Sequence, residues 1–442
     1  MTRRKLPVDI AATMRLPRDP QKTLKLDLAT LTWSAHGLDG TGAGPALLDL
    51  LEIARTVHEF DRRQPKRTTG VRAKQVHVTM PLRRPARWTS AAKSELSALL
   101  RVQGNAEWIF DFTKRTAETT SADLVFGKGR PKKATSKKKA SGRESIENVM
   151  LFSGGLDSTS GLATLMEQAD RTLLVAYYAR NRVKQESIAK EMGFGRLIQI
   201  GSSWNISEAA PRVGGQFMYR SFLFLALALL FADTTRAKSV LQFENGPLAL
   251  ALEPLDLYRI TRHAHPLVHQ HLASLFKILT RRAINVRNPF LNRTKGEAVE
   301  LLRSRLAKEQ FKNVIAQTET CWYLSSKTIV AGRPRKRNGE PCGACVPCLV
   351  RRAALGADDT TSAVDFTNGS RRGLRDPVVR VHYESYSAFA ERLLDESFDV
   401  YDFMEIVPAA TRIALGNGGE MTPTEAFALY RRFAEEWTRT YA

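Results

Sequence analysis

Cysteine is scarce in this chain, and what there is stands close together. Among 442 residues there are four, Cys321, Cys342, Cys345 and Cys348, which excludes a disulfide framework spread over many loops. Acid is scarce too. The 45 Asp and Glu face 67 Lys and Arg, giving a net charge of +22 and a pI near 10.0. That balance favours anionic partners (nucleic acid, nucleotide phosphates or an acidic protein surface) without choosing among them. Long apolar runs are also missing. The strongest candidate, Phe217 to Phe231, falls short of the ~20 residues of a membrane span. It carries Arg220 near one end, with Asp233 beyond the other, and reads as a helix buried on most sides. The N-terminus, MTRRKLPVDIAATMRLPRD, is basic and lacks the apolar stretch of a secretory signal. A cytoplasmic location with reduced cysteines is therefore expected.

What is present is ordinary for a globular protein: 43% hydrophobic and 25% charged residues, in a length that suits two or three domains. The clearest boundary is GKGRPKKATSKKKASGRES, 127–145, which has almost nothing to bury and reads as a basic linker. Residues 1–126 read as a small α/β accessory domain. TLKLDLAT, VRAKQVHVTM and AEWIFDFTKR are its strands. Leu47, Leu48, Leu51, Ile53, Ala54 and Val57 share the apolar face of one helix, and Thr89 caps a second. In 146–357 strands and helices alternate: NVMLF, TLLVAYYA, LIQI, SVLQFEN and AINVRNPF, with helices between. This predicts an α/β fold with a doubly wound parallel sheet. Residues 358–442 read as a helical C-terminal extension.

The stretch VMLFSGGLDSTSGLATLM carries the chemistry. A strand ends, a glycine turn follows and a helix begins, at the sheet edge where open α/β folds bind ligands. Gly154 and Gly155 permit a close backbone approach, and the first-turn amides favour an anion. Ser153 and Ser158 add hydroxyl donors. Asp157 would repel a bare phosphate, so it suggests magnesium between carboxylate and polyphosphate. The turn is not the GxxxxGK[ST] loop of terminal phosphoryl transfer. A tight turn without a ligand is the plain alternative.

The second signal is CxxCxxC at Cys342, Cys345 and Cys348, with Cys321 some way before. Four thiolates suit a closed, structural zinc knuckle. An iron–sulfur cluster also takes four, and unligated cysteines remain open.

SGGLDS resembles the pyrophosphate loop of the N-type ATP pyrophosphatases. This implies the adenine-nucleotide α-hydrolase fold, a Rossmann-like sheet. One Cys followed by CxxCxxC resembles QueC, the 7-cyano-7-deazaguanine synthase family. Two further stretches carry the likeness. Arg220 and its apolar helix resemble the family's PGRN segment, and NPFLNRTKGEAVELL resembles its TKAEIV segment, with Lys295 on the family lysine. The likeness spans about 148–355. Ser221 replaces the PGRN asparagine, and the family's YPDCR segment has no counterpart in ITRHAHPLV. In length and divergence the chain resembles the QueC-like proteins of antiphage defence, in the Qat system and in type IV CBASS.

The resemblance implies ATP on Phe152, Ser153, Gly154, Gly155, Leu156, Asp157, Ser158 and Thr159, with Mg2+ near Asp157 and Zn2+ on the four cysteines. The adenine end would lie near 176–180. A 7-carboxy-7-deazaguanine-like base would be adenylated, with Arg220 and Lys295 neutralising charge alongside Asp157. A protein acceptor encoded nearby would then supply the amine; in the family's housekeeping members it is ammonia and the product a nitrile. Glu244 and Asn245, ending the fourth of these strands, are candidates for the base's amidine edge. His263 or His265 is a candidate general base. Surface salt bridges and helix caps are the plain alternatives for these residues. His269 and His271 read as helix-surface residues rather than metal ligands. Two rivals stay open: a tRNA-modifying pyrophosphatase, and a nucleotide sensor without chemistry.

Overall fold

The computed structural model describes residues 11–16, 19–27, 32–34, 44–63, 75–104, 106–115, 145–177, 181–203, 218–252, 261–321, 343, 345–359, 377–416 and 419–441. All of the expected linker except Ser145, and Cys342, lie outside them.

The N-terminal part contains β1 (Ala11–Leu16), β2 (Asp19–Asp27), β3 (Thr32–Ser34), α1 (Pro45–Arg63), β4 (Gln75–Leu82), α2 (Ser90–Gly104) and β5 (Glu107–Lys114). Four of these strands form a sheet in the order β2-β1-β4-β5. β1 runs antiparallel to both of its neighbours. β4 and β5 are parallel, as the α2 crossover between them requires. Thr89 caps α2, its Oγ1 accepting from Ala92 N at 3.4 Å. β3 leaves this group and pairs antiparallel with a strand of the main sheet.

The main sheet takes β6 (Asn148–Leu151), β7 (Thr172–Tyr177), β8 (Leu197–Ser203), β9 (Ser239–Gln242) and β10 (Asn285–Arg287), in the order β10-β9-β6-β7-β8-β3. Its first five strands are parallel. Alternate side chains go to two different cores. Val149, Leu173, Val175 and Val240 share one with α1 and α2, with α5 (Arg220–Thr235) and with α7 (Pro266–Thr280). Met150, Leu174 and Leu241 share the other with α3 (Leu156–Leu165), α4 (Arg182–Glu191), α8 (Lys295–Arg305) and α9 (Lys308–Gln317). Both faces of the sheet are thus covered, as a parallel sheet demands. The chain winds outward from β6 through β7 to β8, then returns to set β9 against the other side of β6. The loops after β6 and β9 therefore meet where the winding reverses.

The accessory segment shares this core. α1 packs on α5, and α2 packs on α7. The chain boundary expected near 126 is therefore not a packing boundary. α5 is buried along most of its length, from Ser221 to Ala232 except Phe224. Each of its large apolar side chains contributes about 1.5–3 kcal/mol. α1 departs from its amphipathic pattern, since Asp49 and Glu52 are as buried as Leu50. Pairing makes this tolerable. Asp49 accepts the backbone N–H groups of Arg83 and Arg84 at 2.9 Å. Glu52 is paired with Arg83 and Arg115.

The remaining helices are α6 (Gly246–Leu250), α10 (Val346–Leu355), α11 (Pro377–Leu394), α12 (Val400–Ile406), α13 (Ala409–Leu415) and α14 (Pro423–Tyr441). The last four form the expected helical C-terminus. They build a third core around Tyr386, Phe389, Tyr430, Phe433 and Trp437, and it includes residues of α6 and α10. Among the described residues no helix is long and apolar enough to cross a membrane.

His269, expected on a helix surface, is 1% exposed and bonded to Gln242 at 3.0 Å. It sits on the α7 face turned to the sheet, which the apolar spacing alone did not resolve. His265 is also buried. Burial pushes both imidazoles down to about 3, whereas in the unfolded chain they titrate near ~6.5. Between these values the unfolded chain binds more protons, so stability is full above pH ~6.5 and falls on acidification. Each histidine contributes a slope of about 1.4 kcal/mol per pH unit. His265→Asn should flatten the stability–pH curve by about that slope between pH 6 and 4. Urea titrations across this range check it, and an unchanged slope would contradict it.

Candidate functional site

The turn after β6 has the backbone that its glycines allow. Gly154 takes φ +75°, a conformation closed to most L-residues. A Cβ there would also meet Gln185 Cγ at 3.1 Å. The turn is braced from α4: Asn181 Nδ2 and Gln185 Nε2 donate to the Ser153 carbonyl at 2.8 and 3.0 Å. Ser153 Oγ accepts from Gly155 N at 3.1 Å and lies 3.0 Å from Ser158 Oγ. The N–H groups of Gly154, Leu156 and Asp157 donate to nothing among the described residues. Free donors at a helix start beside glycine suit an anion. Phe152 and Leu156 are 1% exposed and Thr159 is fully buried. These three can serve a ligand only through the backbone, and the hydroxyls offered by the turn are those of Ser153 and Ser158.

Beside the turn runs a chain of polar contacts. The Lys295 ammonium is paired with Asp157 Oδ2. Asp157 Oδ1 accepts from Asn245 N and Nδ2 at 3.3 and 3.2 Å. Asn245 Nδ2 also donates to Glu244 Oε1 at 3.0 Å, and His263 Nε2 lies 2.8 Å from Glu244 Oε2. Five of the residues singled out in the sequence are thus joined. β6, β9, α8 and the segment before α7 bring them together across as many as 138 positions. Asn245 also caps α6, its Oδ1 accepting from Leu248 N at 3.3 Å, so the plain alternative of a helix cap describes this residue as well as its place in the chain of contacts. Thr294 caps α8 in a capping box with Glu297, which fixes Lys295 as the first helical residue.

Burial pushes the Asp157 carboxyl above the usual aspartate range, with Lys295 opposing that and Glu244 adding to it. Burial also works against ionising Glu244. His263 and Lys295 outweigh it and carry Glu244 below the usual glutamate range. The same contact holds His263 above its ordinary value against its own burial, while the Arg220 charge opposes. Arg220 lies near His263 but outside the hydrogen-bonded chain, with its guanidinium 5.8 Å from the Phe224 ring centre. Tyr177 packs on that ring at 5.0 Å.

His265 is not part of this cluster. Its Nδ1 accepts from Leu267 N at 3.3 Å, and its Nε2 lies 3.3 Å from Thr411 Oγ1. It is the N-cap of α7, so a buried structural role replaces the expected base. Asp157 is also less open than a magnesium ligand was expected to be. Both of its oxygens already accept from protein donors, so a divalent cation there competes with the Lys295 ammonium.

No protein-family model matches the chain, and no curated protein matches it.

The cysteines form a second centre. Cys345 Sγ lies 3.4 Å from Cys348 Sγ and 4.0 Å from Cys321 Sγ, and all three sulfurs lie within 4.8 Å of one another. Zn–S bonds of about 2.3 Å in a tetrahedron place sulfurs roughly 3.8 Å apart. The three residues can hold such a metal ion. Cys342, the expected fourth ligand, lies outside the described residues.

This centre adjoins the glycine turn. Glu319, two residues before Cys321, donates its N–H to the Gly154 carbonyl at 3.3 Å, and its carboxylate pairs with Lys184 of α4. Arg351 of α10 anchors the same segment through Thr318 Oγ1 at 2.6 Å and Ile315 O at 3.1 Å. Sequence reasoning missed these braces, along with Asn181, Gln185 and Asn288. Asn288 grips Glu244 through both backbone groups, at 3.2 and 2.7 Å. None of them belongs to a motif, and each acts across the fold. Asn288, in NPF beside the TKGE stretch, carried the nearest thing to a signal.

Two outcomes follow. Lys295→Met leaves Asp157 buried without its cation and should cost about 3–5 kcal/mol. Adding Asp157→Asn should recover most of that loss, as denaturant unfolding of the single and double variants measures; strict additivity would contradict the pairing. The purified protein should carry about one zinc per chain. Stripping it with a chelator should speed amide hydrogen exchange at 153–156, through the Glu319–Gly154 contact, and leave α7 unchanged.

Proposed function

We propose that the chain is a QueC-like, ATP-dependent C–N ligase on an adenine-nucleotide α-hydrolase-type fold. In this reading it adenylates a 7-carboxy-7-deazaguanine-like base, releases pyrophosphate and transfers the base to an amine. One observation carries the reading. The Lys295–Asp157–Asn245–Glu244–His263 chain stands beside a glycine turn with free amides, at the point where the strand order reverses. A phosphate-binding turn alone would need no such neighbour.

The residues divide the work by their chemistry. The amides of Gly154, Leu156 and Asp157, with Ser153 and Ser158, hold the polyphosphate. A substrate carboxylate oxygen attacks the α-phosphorus, and the bond to the pyrophosphate oxygen breaks. Lys295 and Arg220 offset the charge that develops on the departing group. Magnesium, when bound, would neutralise polyphosphate charge, and Asp157 would hold it only by yielding part of its contact with Lys295. Glu244, kept ionised by His263, accepts hydrogen bonds from the N–H groups of an amidine edge, and the Tyr177–Phe224 pair offers a flat apolar wall to a planar ring. The amine nitrogen then attacks the acyl carbon, AMP leaves with the bridging oxygen, and the amine gives up a proton. The zinc centre takes no part in these steps. It holds the segment that braces the turn.

The acceptor we favour is a protein N-terminus in an antiphage defence system, in keeping with the long QueC-like proteins that the chain resembles. The test is mass spectrometry after incubation with ATP, magnesium and 7-carboxy-7-deazaguanine, with ammonia or with proteins encoded beside this one. The expected result is AMP and a deazaguanine mass added to a neighbouring protein, both lost in Asp157→Ala. A free nitrile without adduct would make the chain a long-form nitrile synthase. Absence of AMP under all of these conditions would overturn the ligase reading, and salt-sensitive tRNA binding would then favour the RNA-modifying one.

A further inference from the structure

The C-terminal helix α14 lies outside the stretch that carries the QueC resemblance, yet it touches three of the helices around the site, α6, α8 and α10. Tyr430 Oη accepts from Leu252 N at 3.2 Å and donates to Pro247 O at 2.9 Å, clasping α6, which follows Asn245. Tyr441 Oη donates to Leu349 O at 2.8 Å, and Thr440 Oγ1 to Ala353 O at 3.2 Å; both grip α10, which carries Cys348. Arg432 Nε meets Glu297 Oε1 at 2.7 Å. The most telling contact is that of Glu436.

Glu436 is a carboxylate on an otherwise apolar helix face, 7% exposed, between Phe433 and Trp437 in sequence. It ends at the first turn of α8. The Thr294 hydroxyl donates to its Oε1, and Gly296 N donates to its Oε2 at 3.2 Å. The two donors flank Lys295 on either side. The approach is so close that a Cβ on Gly296 would stand 2.6 Å from the Glu436 carboxyl carbon, so a side chain at 296 would push the carboxylate out of this position. The Thr294 hydroxyl spends its proton on Glu436 and still accepts from Glu297 N at 3.1 Å. Glu436 thus sets the rotation of the capping hydroxyl as well as the place of the helix start. A carboxylate here also lies at the favourable end of the helix dipole.

We infer that Glu436 is a positioning residue: from the C-terminal extension it seats the first turn of α8, so that the Lys295 ammonium is delivered onto Asp157. The extension is thereby part of the site's frame, and a site of this design is incomplete without it. The geometry calls for an acceptor at both oxygens rather than a side chain of the same size; burial pushes the Glu436 carboxyl above the usual glutamate range, and the Thr294 and Gly296 donors oppose that shift. Two donors face two oxygens, and an amide would turn an N–H group toward one of them. This inference goes beyond the ligase reading. It holds for whatever ligand the Lys295–Asp157 pair serves, and its test uses no nucleotide.

The experiment is competitive acetylation of the full-length protein with an N-hydroxysuccinimide ester, read lysine by lysine by mass spectrometry. Lys295 is 2% exposed and ion-paired, so it should be protected in the unaltered protein. In Glu436→Gln its labelling should rise about tenfold, as expected when a buried pair of donors loses one acceptor. Lys184, Lys238 and Lys277 should label as before. A role in packing alone would leave Lys295 protected, because glutamine fills the same space. Thr294→Val, which removes the donor from the other side, should match Glu436→Gln, and Thr294→Ser should restore protection. Continued protection of Lys295 in folded Glu436→Gln overturns the inference. If that variant does not accumulate, continued protection in Thr294→Val does so equally.

Discussion

The buried pair of Lys295 and Asp157 is the constraint on which the rest of the site depends. Two charges taken out of water are costly to separate and gain from pairing only in good geometry. Asp157 sits in the first turn of α3, just past the glycine turn, and Lys295 is the first residue of α8. Holding them together fixes the end of β6 against the start of a helix 138 positions away. Asn245 then bonds to Asp157 and Glu244 to Asn245, so the loop after β9 is placed by the same contact. The order of strands matters here. Only because β9 lies beside β6 do the two loops open toward each other, and only there can a residue from each reach one carboxylate.

The supports of this pair form a shell drawn from unrelated parts of the chain. The cysteine centre braces the glycine turn through Glu319 and Gly154. α4 braces it through Asn181 and Gln185. The C-terminal helix holds the start of α8, the helix after Asn245 and the helix carrying Cys348. Most of these contacts are side chain to backbone carbonyl or amide, which fixes position without depending on charge. A site framed in this way holds its donors fixed, as the proposed polyphosphate and its leaving group would require. Arg220 stands apart from the frame, near His263 and over the Phe224 ring, with no carboxylate partner among the described residues.

Much of this was legible in residues that lie close together in sequence. NVMLF followed by SGGLDS gave a strand, a left-handed turn and a helix start, because glycine at 154 suits a positive φ and a short apolar run suits a buried strand. The apolar helix after Arg220 was legible from its composition. TKGE was noted for Lys295 while its capping box came only with the structure, and the cysteine spacing announced a centre, three of whose sulfurs meet. Other readings failed for one common reason. His265 and His269 were judged by spacing in a polar-looking segment, and burial decided both. α1 was read as one-sided, yet Asp49 and Glu52 are buried because Arg83 and Arg115 arrive from elsewhere. Glu436 carried no signal of its own in a segment read only as helical.

The sequence by itself determined the local units: the parallel alternation, the glycine turn, the cysteine centre, the helical C-terminus and the identity of most side chains in the cluster. These follow from backbone preference and from patterns within some twenty residues, which each segment carries with it. Only the tertiary structure decided that Asp157 is held by Lys295, that Asn245 caps α6 and bonds to Asp157 at once, and that the C-terminal helix holds the start of α8. Those outcomes depend on which strands become neighbours and on which charges lose water together, and neither is encoded in any one segment.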